Sequence, residues 1–223
     1  MQPTLIEKRN SLFIIDKPPG LSIHPTANPS MPSVTAWIQR HYGCNAAPVH
    51  RIDKETSGVV LLSTDRSERS HWGNLFSTGR VEKVYVAYVL GRPPTAGVID
   101  IPLYDRRRGK RLASITHYEM QHCFADCAYI AVSPHTGRKH QIRKHMAEVG
   151  HPILGDPRYP ANRRRLERAW RHPMMVATAV ATGRRMWLHA HSLTAEGETY
   201  ISMPPQDFTA LEQKLIERDN HCD

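Results

Sequence analysis

The chain has 223 residues, of which 40% are hydrophobic and 23% are charged, a mixture that excludes disorder as its main state. The formal net charge of +9 favours a polyanionic partner, either nucleic acid or an anionic membrane surface. The longest nearly apolar stretch, residues 174–181, is too short to span a bilayer, which takes about 20 residues. The four cysteines show no C-x-x-C spacing, so we expect a reduced, cytoplasmic protein without a membrane partner.

The predicted elements favour an α+β fold with a largely antiparallel sheet. A short helix at 35–42 lies between an apolar run at 11–16 and a buried strand at 59–65. Asp65 is the predicted N-cap of a helix that ends near Gly79. Strand candidates then follow one another at residues 81–91, 97–103, 113–120 and 126–134. Successive strands without helices between them argue against a doubly wound parallel sheet.

A change of period predicts a helix over residues 138–150. Ile142, Met146 and Val149 fall on one apolar face of this helix. Arg143 lies about 100° around the helix from Ile142, so we expect it to border the packed face. The remaining surface of the predicted helix is strongly basic.

The end of the chain adds a predicted strand pair at 187–193 and 198–204, followed by an amphipathic helix over 206–218. The basic segment 160–173 fits a basic helix or an ordered loop over the RNA-facing side, and it fits a solvated charged excursion at least as well. The sequence contains no internal repeat and no long linker, so we expect a single domain over residues 1–223.

The motif HRIDKETSG places one carboxylate, Asp53, between Arg51 and Lys54 and just before an apolar run. A carboxylate in a turn can act as a nucleophile, a general base, a metal ligand, a cap or an ion-pair partner. Local sequence alone favours a structural role, because Asp commonly stabilises turns. Motifs elsewhere in the chain change this interpretation.

Motifs follow one another along most of the chain: DKPPGLSIHP at 16–25, HRIDKETSGVVLL at 50–62, KVYVAYVLG at 83–91, TGRKHQIRKHMAEVGHPILGD at 136–156 and LHAHSL at 188–193. In this order they resemble the RluA family of RNA pseudouridine synthases. Ile52 stands where the pattern HRLDxxTSG has leucine, a conservative change. The resemblance implies a pseudouridine synthase fold, with a mainly antiparallel mixed sheet flanked by helices and loops, and a central basic cleft.

The resemblance also implies roles for individual residues. Asp53 occupies the position of the catalytic aspartate, and Arg143 matches the arginine that pairs with it. Tyr85 matches the tyrosine that contacts the target base. Arg51 stands where relatives use an arginine to fill the space left by a flipped nucleotide. An adjacent guanidinium favours the ionised carboxylate, and base extrusion costs a few kcal/mol that an inserted arginine offsets.

The implied reaction breaks the bond between ribose and N1 of uracil, rotates the uracil and rejoins it through carbon 5. This isomerisation needs no redox change and no group donor, so we expect no cofactor. Asp53 acts either as a nucleophile on the sugar or as a base that removes a ribose proton, and the sequence leaves both open. We expect Arg51, Arg138 and Lys139 to bind RNA, with phosphate contacts from the basic stretch at 105–111.

A metal site is an alternative that the histidines invite. His140, His145 and His151 have the spacing H-x4-H-x5-H, and the first two lie about 140° apart around a helix, which converges poorly on one ion. We therefore expect no metal and rank a metal-dependent RNA hydrolase third. A non-catalytic RNA-binding or chaperone protein is the second alternative.

The expectation for the whole chain is a stand-alone pseudouridine synthase catalytic domain that acts as a monomer on structured RNA. The DKPPG motif begins at residue 16, so we expect no separate RNA-binding domain before it. RNA selection then falls to the catalytic domain. A short stem-loop of ribosomal or transfer RNA fits this expectation.

Overall fold

The computed structural model describes residues 2–25, 32–159 and 185–220, which divide into two compact units. Unit 1 comprises Met1–Lys83 and His189–Met203, and unit 2 comprises Val84–Leu188 and Pro204–Asp223. The assignment of the whole chain to a single domain stays a prediction. Within the described ranges, no helix combines the length and the apolar character needed to cross a membrane.

The helices and strands alternate irregularly along the chain. In order they are β1 (Thr4–Arg9), β2 (Leu12–Lys17), α1 (Val34–Tyr42), β3 (Ala47–Pro48), β4 (Ser57–Ser63), α2 (Arg66–Ser77), β5 (Glu82–Leu90), β6 (Ala96–Asp100), β7 (Leu103–Asp105), β8 (Lys110–Leu112), β9 (Ile115–Cys123), β10 (Cys127–Pro134), α3 (Gln141–Glu148), β11 (Leu188–Ala195), β12 (Glu198–Ile201) and α4 (Gln206–Asn220). This confirms the predicted α+β class.

The strands of unit 1 are ordered β1-β2-β4-β11, with β12 paired to β11 and β3 paired to β4. The β4·β11 pairing is parallel, and the other pairings are antiparallel. Strand β4 is buried along its whole length, as its run of apolar residues predicts. Asp65 caps α2 by accepting a hydrogen bond from the Glu68 amide at 2.7 Å, which confirms the predicted cap.

Unit 2 contains the antiparallel strands β5-β10-β9-β6, and alternate residues of β5 pack on opposite sides. Ala87 and Val89 belong to a core cluster that includes Ile142 and Met146 of α3. Val86, Tyr88 and Leu90 belong to a second cluster with three side chains of α4: Phe208, Leu211 and Leu215. The Tyr88 hydroxyl also donates to the Phe208 carbonyl, which fixes α4 on this side.

The structure differs from the sequence-based elements in three places. Strand β1 was not predicted, because its side chains are mostly exposed or half-buried and it is bulged between Leu5 and Glu7. Strands β7 and β8 form a separate small hairpin. Helix α3 begins at Gln141 rather than at residue 138, because His140 has a φ of 55° and interrupts the helical backbone. The segment 160–173 lies outside the described residues.

Candidate active site

The turn that carries Asp53 spans residues 50–56, between β3 and β4, and is called the Asp53 turn below. The Thr56 amide donates to the Asp53 carbonyl at 3.1 Å, which closes the turn. The Lys54 carbonyl accepts from the Gly20 amide at 2.9 Å, so the turn is also tied to the loop after β2. Asp53 is half-buried and Arg51 is exposed.

Lys17, at the end of β2, is the second tie between these two loops. Its side chain is completely buried, and its ammonium donates to the carbonyls of Pro18, Leu21 and Lys54 at 2.9, 3.0 and 2.9 Å. A buried ammonium is tolerated only when its donors are satisfied. Three carbonyls from two separate loops therefore converge on one point next to Asp53.

His50 fixes the start of the Asp53 turn. Its Nε2 accepts from the Leu61 amide of β4 at 3.1 Å, and its ring stacks on Phe76 of α2 with centroids 4.8 Å apart. Burial, reinforced by the nearby charge of Lys83, lowers the pKa of His50 to about 3. The imidazole is therefore neutral at physiological pH and acts as an acceptor where β3 no longer pairs with β4.

The other end of the Asp53 turn runs into the parallel contact between β4 and β11. Gly58 has a φ of 113°, and a Cβ there would lie 2.2 Å from the Ala190 carbonyl oxygen, so only glycine fits. Next to it, the Ser57 hydroxyl and His189 Nδ1 are 3.0 Å apart, and His189 Nε2 lies 2.8 Å from the Ser202 carbonyl. Because a carbonyl only accepts, Nε2 carries a proton, and in a neutral ring Nδ1 then accepts from the Ser57 hydroxyl.

Helix α3 of unit 2 carries Arg143 and buries three polar side chains, Gln141, Arg143 and His145. The Gln141 amide nitrogen donates to the Ile115 carbonyl and to the Thr116 hydroxyl, each at 2.9 Å. His145 bonds the same hydroxyl at 2.8 Å and the Ile101 carbonyl at 2.9 Å. These bonds fix the position of α3 along its axis and its rotation about that axis, and they thereby fix the position of Arg143.

Arg143 forms a bidentate ion pair with Asp156, with Nε–Oδ2 and Nη2–Oδ1 distances of 2.7 and 2.8 Å. The two side chains are only 6% and 0% exposed. Asp156 Oδ1 also accepts from the amides of Arg158 and Tyr159 at 2.8 and 3.1 Å. Burial alone raises the pKa of Asp156, but the hydrogen bonds from Arg143 and the two amides outweigh it and hold the pKa below its usual value.

Tyr159 completes the surroundings of Arg143. The guanidinium carbon lies 5.2 Å from the centroid of the Tyr159 ring, a cation–π contact. The Tyr159 hydroxyl is 2.9 Å from Nδ1 of His140, the residue with the left-handed backbone before α3. His140, Arg143, Asp156 and Tyr159 thus form one connected group.

The remaining predicted site residues lie in unit 2. Tyr85 is half-buried on β5, opposite Val132 of β10, and packs against the core cluster around α3, so its packing is established while its contact with a base stays a prediction. Arg138 and Lys139 were expected on the helix, but both lie in the turn before it. Arg138 Nε donates to the Ala113 carbonyl at 3.1 Å, and Lys139 is exposed.

The six predicted site residues therefore fall into two groups. Asp53 and Arg51 lie in unit 1, whereas the others, Tyr85, Arg138, Lys139 and Arg143, lie in unit 2. The partnership of Arg143 with Asp53 stays a prediction. From the sequence alone, Asp156 is a structural residue of the turn that ends the 136–156 motif, and neither Lys17 nor Tyr159 has a predicted role, although both fall in or next to a quoted motif.

The three histidines considered as metal ligands bond to different groups. His140 bonds to Tyr159, His145 to Thr116 and the Ile101 carbonyl, and His151 to the Leu90 carbonyl at 3.0 Å. Burial lowers the pKa of both His145 and His151, so their rings are neutral hydrogen-bonding groups. Their separate hydrogen bonds hold α3 and the loop after it against neighbouring residues.

The β7–β8 hairpin presents a cluster of positive charge. Arg106, Arg107, Arg108 and Lys110 are exposed at its tip. Asp105 Oδ1 accepts from the amides of Arg107 and Arg108 at 2.8 and 3.1 Å, and these bonds lower the pKa of Asp105. Tyr104 precedes the tip and is 54% exposed. An exposed aromatic ring close in the chain to several exposed cations is suited to a nucleic acid.

Comparisons with known proteins agree on one family. The sequence model described as RNA pseudouridylate synthase matches residues 11–148. A Chloroflexus aurantiacus relative described as an uncharacterized RNA pseudouridine synthase is 35% identical over 92% of this chain and 67% of its own length. The dual-specificity RNA pseudouridine synthase RluA of Escherichia coli is 32% identical over 92% of this chain and 93% of its own.

The chain spans about half the length of two further relatives, ribosomal large subunit pseudouridine synthases D of Buchnera aphidicola and Xanthomonas campestris, at 53% and 49%. Among solved structures, human RNA pseudouridylate synthase domain containing 4 is 26% identical with a TM-score of 0.74, covering 95% of this chain and 92% of that one. The family match contains the Asp53 turn, β5 and α3. The chain therefore belongs to the RluA family of RNA pseudouridine synthases.

Proposed function

We propose that the protein isomerises specific uridines to pseudouridine in structured RNA, with Asp53 as the catalytic carboxylate. The observation that carries the proposal is the HRIDKETSG motif on a turn held from three sides, by Lys17, by His50 and by the β4·β11 contact. A catalytic carboxylate has to be presented in one geometry, and a turn tied in this way presents one.

In the proposed reaction the carboxylate of Asp53 meets the ribose of the target uridine. As a nucleophile it bonds to the ribose carbon that loses N1 and is displaced again when carbon 5 attacks that carbon; as a base it removes a ribose proton and later returns it to the sugar. The bond from ribose to N1 breaks, the uracil rotates, and a bond from ribose to carbon 5 forms. The proton on carbon 5 is then lost and N1 ends protonated, so atoms and charge balance without a cofactor.

Arg143 and Tyr85 are assigned supporting roles in this reaction. The Arg143 guanidinium pairs with the Asp53 carboxylate, as the family motif implies. Tyr85 contacts the extruded base. Arg51, exposed on the Asp53 turn, is suited to the space that the base leaves in the stem. Base extrusion costs a few kcal/mol, which these contacts offset.

The proposed substrate is a stem-loop of ribosomal RNA, transfer RNA or both, bound by a cytoplasmic monomer. The net charge of +9 supports a polyanionic substrate. Arg138, Lys139 and the tip of the β7–β8 hairpin supply phosphate contacts. The names of the relatives, a dual-specificity RNA enzyme and two ribosomal large subunit enzymes, support this substrate class.

The test uses RNA labelled with tritium at carbon 5 of uridine, taken from cells that lack the protein. Native protein releases tritium as pseudouridine forms, and Asp53→Asn binds RNA equally well but releases none. Glu55→Gln is the matched control, because it removes another carboxylate from the same turn and retains release. Tight binding without release by the native protein contradicts the proposal and favours a non-catalytic RNA-binding protein.

A further inference from the structure

Arg143 has more contacts than its proposed pairing with Asp53 requires. A guanidinium has five N–H donors in a planar fork. Asp156 takes two of them through the Nε–Nη2 edge, at 2.7 and 2.8 Å, and this bidentate contact fixes both the position and the plane of the guanidinium. The proposed partnership with Asp53 draws on the other donors.

Asp156 is itself held in place. Two backbone amides donate to its Oδ1, from Arg158 and Tyr159, so the carboxylate is part of a closed turn. A carboxylate with this many donors is a rigid anchor rather than a mobile counter-charge. The anchor also provides the opposite charge that a guanidinium only 6% exposed requires.

Tyr159 restrains Arg143 from a different direction. Its ring lies 5.2 Å from the guanidinium carbon, and its hydroxyl bonds to His140 at 2.9 Å. His140 directly precedes α3, so the ring is linked to the start of the helix that carries Arg143. The guanidinium is thus held at one edge by Asp156 and covered by an aromatic ring that is itself held.

We propose that Asp156 and Tyr159 are positioning residues for the isomerisation, acting through Arg143 to set its guanidinium for Asp53. This inference rests on the proposed function. Neither residue touches the substrate in this scheme. Their contribution lies in the rate of the chemical step, because a displacement of about 1 Å in a catalytic group lowers a rate on the order of 10²-fold.

The first test is Asp156→Asn, which keeps the shape but removes the charge and one acceptor. We expect the single-turnover rate of tritium release to fall roughly 100-fold while RNA affinity stays within about twofold. Asp126→Asn is the matched control, because Asp126 is a buried carboxylate of the same unit, paired with Arg218 at 2.8 Å. It is expected to lower stability and leave the rate unchanged.

A double-mutant cycle separates positioning from general destabilisation. If Asp156 acts through Arg143, then Asp156→Asn lowers the rate far less in an Arg143→Lys background, by less than about threefold. An equal fall in both backgrounds overturns the inference, as does a native rate in a folded Asp156→Asn protein. A fall explained entirely by weaker RNA binding also overturns it.

Tyr159 provides a second test that does not depend on a fully buried residue. Tyr159→Leu removes the ring and is expected to slow tritium release roughly three- to tenfold. Tyr159→Phe keeps the ring and retains most of the rate. A native rate in Tyr159→Leu removes this residue from the scheme. Release by Asp53→Asn contradicts the proposed function itself, so failure of that function and failure of this inference give different results.

Discussion

Replacing Lys17 by Met tests whether its ammonium holds the Asp53 turn in place. Methionine keeps the length and apolar stem but removes the donors. The Lys54 carbonyl retains the Gly20 amide, whereas those of Pro18 and Leu21 each lose a donor. Each carbonyl that loses its donor lowers the free energy of unfolding by about 1–3 kcal/mol, so Lys17→Met lowers it by about 2–6 kcal/mol.

The measurement is urea unfolding followed by tryptophan fluorescence, with tritium release measured on the same preparations. The matched control is Lys214→Met on the exposed surface of α4, where the free energy of unfolding changes by less than about 0.5 kcal/mol. Any Lys17→Met protein that folds also releases tritium more slowly, because the Lys54 carbonyl lies next to Asp53. A loss below about 1 kcal/mol together with a native rate refutes the role assigned to Lys17.

Three further outcomes are expected. Gly58→Ala places a Cβ 2.2 Å from the Ala190 carbonyl oxygen and lowers the free energy of unfolding by about 3–5 kcal/mol. Gly79→Ala is the control: its Cβ meets nothing within 4 Å, and it lowers the free energy of unfolding by about 1–2 kcal/mol. Equal losses in thermal unfolding contradict the steric argument. For His50, the pKa of about 3 in the folded protein lies below the ordinary 6.5 of the unfolded chain, so stability is full above pH 6.5 and is lost as the pH falls towards 3. His50→Gln therefore loses less stability than the native protein in urea unfolding between pH 6 and 4.5, by up to about 1.4 kcal/mol per pH unit. An identical pH dependence argues against a neutral His50 ring in the folded protein. Replacing Arg106, Arg107 and Arg108 by Gln weakens RNA binding and reduces the salt slope by about 2–3, and an unchanged slope excludes the hairpin from phosphate contact.

The sequence predicted the parts of the fold that depend on local pattern. The helix after Asp65 follows from a capping residue and an apolar spacing, and β4 follows from an unbroken apolar run. Strand β1 escaped prediction because its neighbours determine it: its side chains show no buried alternation, and its pairing with β2 is bulged. Irregular strands of this kind depend on tertiary contacts.

The sequence predicted which residues form the candidate site better than it predicted which residues they contact. Patterning placed Arg143 at the border of the packed face, and it is buried there. Its pairing with Asp156, 13 residues further along the chain, depends on the turn that aims the carboxylate, which spacing does not reveal. A lysine is ordinarily expected at the surface. The burial of Lys17 could not be predicted, because it depends on three carbonyls that only the folded chain brings within hydrogen-bonding distance of its ammonium.

The hydrogen bond between Ser57 and His189 joins positions 132 residues apart, and this separation bears on how the chain folds during synthesis. At roughly 5–20 residues per second, β4 leaves the ribosome about 7–26 seconds before β11. Strands β1, β2 and β4 pair locally and assemble early, whereas the parallel contact has to wait until Val84–Leu188, the first segment of unit 2, has been synthesised. Until then, the start of β4, beside Asp53, lacks its neighbour β11 and has an unpaired edge. The contact beside the proposed catalytic carboxylate is thus among the last to form.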